Sequence, residues 1–168
     1  MRLQPKAACT AVLFAALLLT GCAIPKKDSL SDSSELTLWR GRLAVRIESD
    51  QPQPLSFSAS FELTGSPSDG ELTLYTPLGN TAAVLTWNSQ TAVMRANGAT
   101  RHFESLDALI RQAVGTDVPV AALFAWLAGD NMTTKGWSAD LTEHANGRIT
   151  ARRTDPAPLA ELRLLLEK

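Results

Sequence analysis

The chain has 168 residues, 45% of them hydrophobic, with 16 basic and 17 acidic side chains and a formal net charge of −1. That length supports one domain with a real core and excludes two of ordinary size. The balanced charge, with no sustained basic run, excludes a nucleic-acid binder of the usual electrostatic kind.

The opening "MRLQPKAACTAVLFAALLLTGC" reads as an export signal. Basic Arg2 and Lys6 precede an apolar stretch that ends near Thr20, too short to stay as a spanning helix. It closes on Leu19-Thr20-Gly21-Cys22, which resembles the bacterial lipobox. Small residues ahead of a cysteine suit the lipoprotein peptidase, so Cys22 is the expected lipid-attachment site, diacylglyceryl-modified on its thiol and acylated on its amine. Residues 1–21 are thus expected to be a lipoprotein signal peptide. Residues 22–35, with the polar run "IPKKDSLSDSSE", form the lipidated N terminus and a solvated linker. Cys9 leaves with the leader, and no disulfide or free-thiol chemistry remains. Loss of the leader, Arg2 and Lys6 included, leaves 147 residues with 14 basic and 17 acidic side chains, a mildly acidic tethered domain.

From residue 36 to 168 the text is that of a folded domain in which period two dominates. In "LSFSASFEL" (55–63), Leu55, Phe57, Ala59, Phe61 and Leu63 share one face and Ser56, Ser58, Ser60 and Glu62 the other, the mark of a half-buried antiparallel strand. Trp39, Leu43, Val45 and Ile47 give the preceding strand a similar face, opposite Arg40, Arg42 and Arg46. The segments "ELTLYT", "TAAVLTW" and "TAVMRA" follow in meander order, and Asn97-Gly98 turns the chain into "TRHF".

Between the first two of these segments lies "YTPLGNT" (75–81). Pro77 presets φ for a turn and Gly79 and Asn80 tolerate positive φ, yet Leu78 occupies the tip where a polar residue belongs. It either protrudes or folds back onto its own sheet.

Two helices interrupt the sheet. Ser105 caps "SLDALIRQAVG", which stops at Gly115; Pro119 opens "PVAALFAWLAG", which stops at Gly129 and is apolar nearly all round. Such a helix must be buried. Asn146-Gly147 then marks a hairpin between "GWSADLTE" and "RITARR", whose arginines are read as a solvated strand face, with a docking surface as the second reading. Alternation in "LAELRLLLEK" after Pro156 and Pro158 favours a final strand. The expected fold is mainly β: an open, incomplete antiparallel barrel of about eight strands with helices packed against its concave face.

Catalytic constellations are sparse. His102 and His144 are isolated and read as polar strand residues; no His/Cys cluster suits a metal. Asp140 and Glu143, three apart in a strand, face opposite sides and make a poor acid/base pair. No phosphate loop or nucleophile elbow is present. No enzyme activity, metal or cofactor is expected. An apolar-faced curved sheet suggests a binder of something greasy, although a plain core has the same alternation.

The segments "WRGRLAV", "SFSASFEL", "GELTLYTPLGNTAAVLTW" and "VPVAALFAWLAG" resemble the LolB family of outer-membrane lipoprotein receptors. The likeness spans most of the mature chain, and the strand-"TPLG"-strand block is its most specific part. It implies an apolar cavity that accepts acylated lipoproteins from the periplasmic carrier LolA and delivers them to phospholipid of the inner leaflet of the outer membrane. Ala23 after Cys22, in place of the Asp that often retains lipoproteins at the inner membrane, agrees with outer-membrane sorting. The resemblance places a membrane-inserting leucine at Leu78, between Pro77 and Gly79. With the alternation, it implies an acyl-chain cavity lined by Phe57, Phe61, Leu72, Leu74, Leu85 and Trp87, joined by Leu123 and Trp126 of the second helix. A monomer is expected. The chain departs from the family in a short segment before Trp39 and an abbreviated region after Trp137, where one or two strands are expected to be missing. A LolA-like carrier and a purely structural envelope lipoprotein are the alternatives.

Overall fold

Alternating side chains organise the centre of the sheet. In the computed structural model, which describes residues 37–48, 55–134 and 136–167, β1 (Leu38–Ile47) buries Leu43, Val45 and Ile47 and exposes Arg40, Arg42, Ala44 and Arg46. It pairs antiparallel with β2 (Leu55–Gly65), Val45 opposite Phe57 and Leu43 opposite Ala59, so the inward faces coincide. A one-residue slip would turn every one of these side chains to water, which is why the register is well specified.

The meander continues through β3 (Gly70–Tyr75), β4 (Thr81–Trp87), β5 (Ala92–Ala96) and β6 (Ala99–Phe103). After two helices come β7 (Trp137–Asp140), β8 (Arg148–Arg153) and β9 (Ala160–Leu166). The nine strands form one sheet in the order β6-β5-β4-β3-β2-β1-β9-β8-β7. Its edge strands, β6 and β7, do not pair with each other, so the barrel is open. The region after Trp137 still yields two further strands beyond β7. Last strand meets first: Leu43 lies opposite Leu164 and Val45 opposite Leu162. Gly41 permits this approach, since a Cβ there would lie 2.1 Å from the Leu165 carbonyl oxygen.

The concave face holds α1 (Leu106–Val114) and α2 (Val120–Ala128). Ser105 accepts a hydrogen bond from the Ala108 N–H at 3.2 Å, and Gly115 ends α1 in the left-handed region with φ 82°. Helix α2 buries Val120, Ala122, Phe124, Trp126 and Leu127, consistent with its apolar circumference.

Three readings of the region after Trp137 are corrected. Arg153 does not share the solvated face of Arg148 and Arg152, because adjacent strand residues point to opposite sides. It is 7% exposed, with Nε and Nη2 donating to the Pro158 carbonyl at 3.1 and 2.8 Å and its guanidinium 6.0 Å from the Trp137 ring centroid. His144 lies not in a strand but in a short 3-10 turn (His144–Asn146), its Nε2 3.0 Å from the Leu127 carbonyl at the end of α2. Glu143 lies outside β7, which ends at Asp140; the Asp140 carboxylate accepts from the hydroxyl and then the backbone N–H of Thr142, which hold its pKa below the usual value.

Candidate functional site

Between the sheet and the helices lies a cavity of about 40 Å³ whose lining residues are all aliphatic or aromatic. Strands supply Leu43, Val45, Phe61, Leu63, Leu72, Leu162 and Leu164; the helical side supplies Ile110, Val114, Val118, Leu123 and Leu127. By that measure of volume, roughly 10–15 Å³ holds one water. The space therefore admits a few methylene-sized groups and no complete acyl chain. For a chain to enter, the helices must move off the sheet.

The expected lining residues divide into groups. Phe61, Leu72 and Leu123 line the cavity. Leu74, Leu85, Trp87 and Trp126 are buried beside it without facing it, because helical side chains fill the concavity there. Phe124 meets Trp87 at a centroid distance of 6.4 Å, and Trp126 packs on Trp137 at 6.3 Å while donating from Nε1 to the Met132 carbonyl. Phe57 is half-buried and packs against the core on the inward face of β2, opposite Val45, without lining the cavity. The contributions of β1 and β9 were missed. Their inward faces are legible as alternation, but nothing local says that strands at opposite ends of the domain are neighbours.

The connector between the helices is pinned by charge. Arg111 Nε donates to Asp117 Oδ1 at 2.5 Å, and Arg153 Nη1 lies 3.9 Å from Asp117 Oδ2. Among the described residues, no group of three or more His, Cys, Asp or Glu is placed to hold a metal.

The loop between β3 and β4 is built to present its tip. The Thr76 N–H donates to the Asn80 carbonyl at 2.8 Å, the Gly79 N–H to the Thr76 carbonyl at 2.9 Å, and the Asn80 N–H to Thr76 Oγ1 at 3.2 Å. Gly79 takes φ 82°, and the register shifts between Leu74 and Tyr75, the pattern of a tight turn with a glycine bulge. Pro77 and Gly79 are exposed, and Leu78 between them is 89% exposed. At the base, the Tyr75 hydroxyl donates to Glu62 Oε2 at 3.1 Å and Arg40 Nε to Glu62 Oε1 at 2.8 Å, tying β1, β2 and β3 together on the outer face. Loss of solvent, and then that bond to Glu62, hold the Tyr75 hydroxyl above the usual tyrosine pKa. Cys22, the expected lipid-attachment site, lies outside the described residues.

The structure is an open antiparallel barrel with an apolar interior covered by two helices, and one apolar tip exposed on a hydrogen-bonded turn. Residues 38–156 match the family model described as outer membrane lipoprotein LolB, and the chain belongs to that family. It is 31% identical over 141 residues to the outer-membrane lipoprotein LolB of Ralstonia nicotianae, covering 80% of this chain and 66% of that one. With the protein of the same name from Bordetella petrii it shares 26% identity over 176 residues, covering 90% and 87% of the two chains. With that of Shewanella baltica it shares 30% over 125 residues, covering 70% and 56%. The chain thus spans between 56% and 87% of the length of these relatives.

Proposed function

We propose that the protein is a lipoprotein receptor of the outer membrane, lipid-anchored through Cys22, and not an enzyme. It accepts acylated lipoproteins from the periplasmic carrier LolA between its sheet and its helices, and inserts them into the inner leaflet. The carrying observation is the cavity, apolar in every lining residue and covered by a helix that is itself apolar nearly all round. Membership of a family of outer-membrane lipoproteins places the protein at that membrane.

The physical need is large. Three acyl chains hold roughly 45 methylenes, whose exposure to water costs on the order of 35 kcal/mol at about 0.8 kcal/mol each. Direct passage from one apolar interior to another avoids that exposed state and can run downhill in affinity without nucleotide.

Leu78 is assigned to delivery. Burying one leucine gains ~1.5–3 kcal/mol, small beside the acyl chains on Cys22, so the loop need not hold the protein on the membrane. It can instead enter the acyl layer and open a route for cargo. Depletion tests the reading as a whole: lipoproteins should accumulate on the periplasmic carrier, and their continued arrival at the outer membrane would refute it. A structural envelope lipoprotein that binds no lipid is the second reading, favoured by the smallness of the cavity. Uptake of a fluorescent lipid by the purified protein decides against it.

A further inference from the structure

We propose that Arg42 and Arg46, on the outer face of β1 and the first of them beside the Leu78 loop, bind phosphates of anionic phospholipid headgroups, so that loop insertion depends on the charge of the leaflet. The inference rests on the reading of Leu78 as the membrane-entering residue and adds a second component to that site.

Both arginines are exposed and, among the described residues, neither has a carboxylate within ion-pair distance. Their neighbours differ. Arg40 is held by Glu62, while Arg152 and Arg163 both engage Glu161, at 2.8 and 2.6 Å. Arg42 shares a shallow groove of about 190 Å³ with Ser58, Ser60 and Pro77, the residue that precedes Leu78 in the turn. Arg46 shares an adjoining groove with Ser56, Ser58, Arg163 and Glu161, the residue opposite it in the β1–β9 register, whose carboxylate is already engaged by Arg152 and Arg163. The floor between the two is small and hydroxylated, because Ala44 and Ser58 lie opposite each other in the β1–β2 register. A phosphate can therefore approach the guanidinium groups closely and accept from serine hydroxyls as well.

Charge singles out a membrane as the occupant. The mature chain carries 14 basic and 17 acidic side chains, so its net charge alone would repel an anionic surface. Arg42, which has no ion pair among the described residues, sits instead beside the turn whose apolar tip protrudes, with Arg46 further along the same strand face. An apolar anchor with cations near it is the arrangement that lies at a lipid interface. Reach is sufficient. The 15 residues from Ala23 to Thr37 span at most about 50 Å when extended. From Leu38 to Arg42 along β1 is only about 13 Å. An anchor at Cys22 and the Leu78 loop can thus engage one leaflet.

The test places a thiol next to the tip. With Cys9 cleaved and Cys22 acylated, Asn80→Cys supplies the only free thiol of the mature chain and leaves Leu78 in place. The full lipidated protein, labelled there with an environment-sensitive fluorophore, is reconstituted into vesicles of phosphatidylcholine alone or with phosphatidylglycerol. The label is expected to enter the acyl layer strongly only when phosphatidylglycerol is present, and salt should weaken the response. Arg42→Ser with Arg46→Ser should lower the ratio of inserted to free loop about 25-fold, roughly fivefold per arginine near an anionic surface. Circular dichroism should show an unchanged melt. Equal insertion into both vesicles overturns this proposal and leaves the role of Leu78 standing, whereas insertion into neither overturns both. If the double substitution spares insertion but weakens binding of the carrier, the patch belongs to a protein partner and the proposal fails.

Discussion

The ring of Phe124 on α2 meets Trp39 of β1 edge-on, with centroids 5.3 Å apart and planes at 84°. Its other neighbour, Trp87 of β4, lies at 6.4 Å, so one side chain joins α2 to two separate strands. Phe124→Ala should cost ~3–5 kcal/mol through lost burial and a residual cavity. The melting temperature should fall by ~10–20 °C, and an apolar dye should bind more readily as α2 loosens. An unchanged melt with unchanged dye uptake would show that α2 is held by other contacts.

Phe61, 3% exposed, lines the cavity from β2. Phe61→Asp would place a carboxylate among aliphatic side chains, at a cost of several kcal/mol if it stays ionised. Phe61→Leu keeps the surface apolar and should cost within ~1.5 kcal/mol. Denaturant melts and binding of a fluorescent lipid should both separate the two variants. Lipid binding that survives in a folded Asp variant would remove Phe61 from the binding surface.

Leu78→Glu addresses delivery. At 89% exposure the side chain contributes almost nothing to the core, so stability should stay within about ±0.5 kcal/mol. The added charge resists entry into acyl chains and is repelled by anionic headgroups. In liposome transfer from loaded carrier, receptor-bound lipoprotein should build up while the membrane-inserted fraction falls. Normal insertion would take the delivery role from Leu78.

Cys22→Ala removes the expected attachment point. The product should be soluble or unprocessed, lack acyl mass, and still bind lipoprotein in solution. Acylation found at Cys9 instead would overturn the assignment of the leader boundary.

Much of this protein follows from local rules that act within a few residues. Period-two alternation decided which side chains of β1, β2, β3 and β4 turn inward, because successive Cβ atoms alternate across a strand. Ser105, Gly115 and Gly129 bounded the helices because caps satisfy orphan backbone groups. Pro77 and Gly79 specified the turn, while the structure decided between the two readings of its tip, Leu78, which protrudes. The same parity places Arg153 inward, although its partners, the Pro158 carbonyl and the Trp137 ring, come from other segments.

Only the tertiary structure decided which buried faces surround open space. Leu43 and Val45 face the cavity with Leu164 and Leu162 because the first and last strands pair, a contact that no pattern along the chain encodes. Leu85 and Trp87 alternate just as Phe61 and Leu72 do, yet the first pair is packed solid and the second borders a void. Burial is dictated by periodicity, but a cavity is dictated by how far two packed layers stand apart. That separation depends on where α1 and α2 settle, whereas Pro77 comes beside Arg42 through the register of the sheet, which sets Arg42 opposite Ser60 and Ser60 opposite Tyr75.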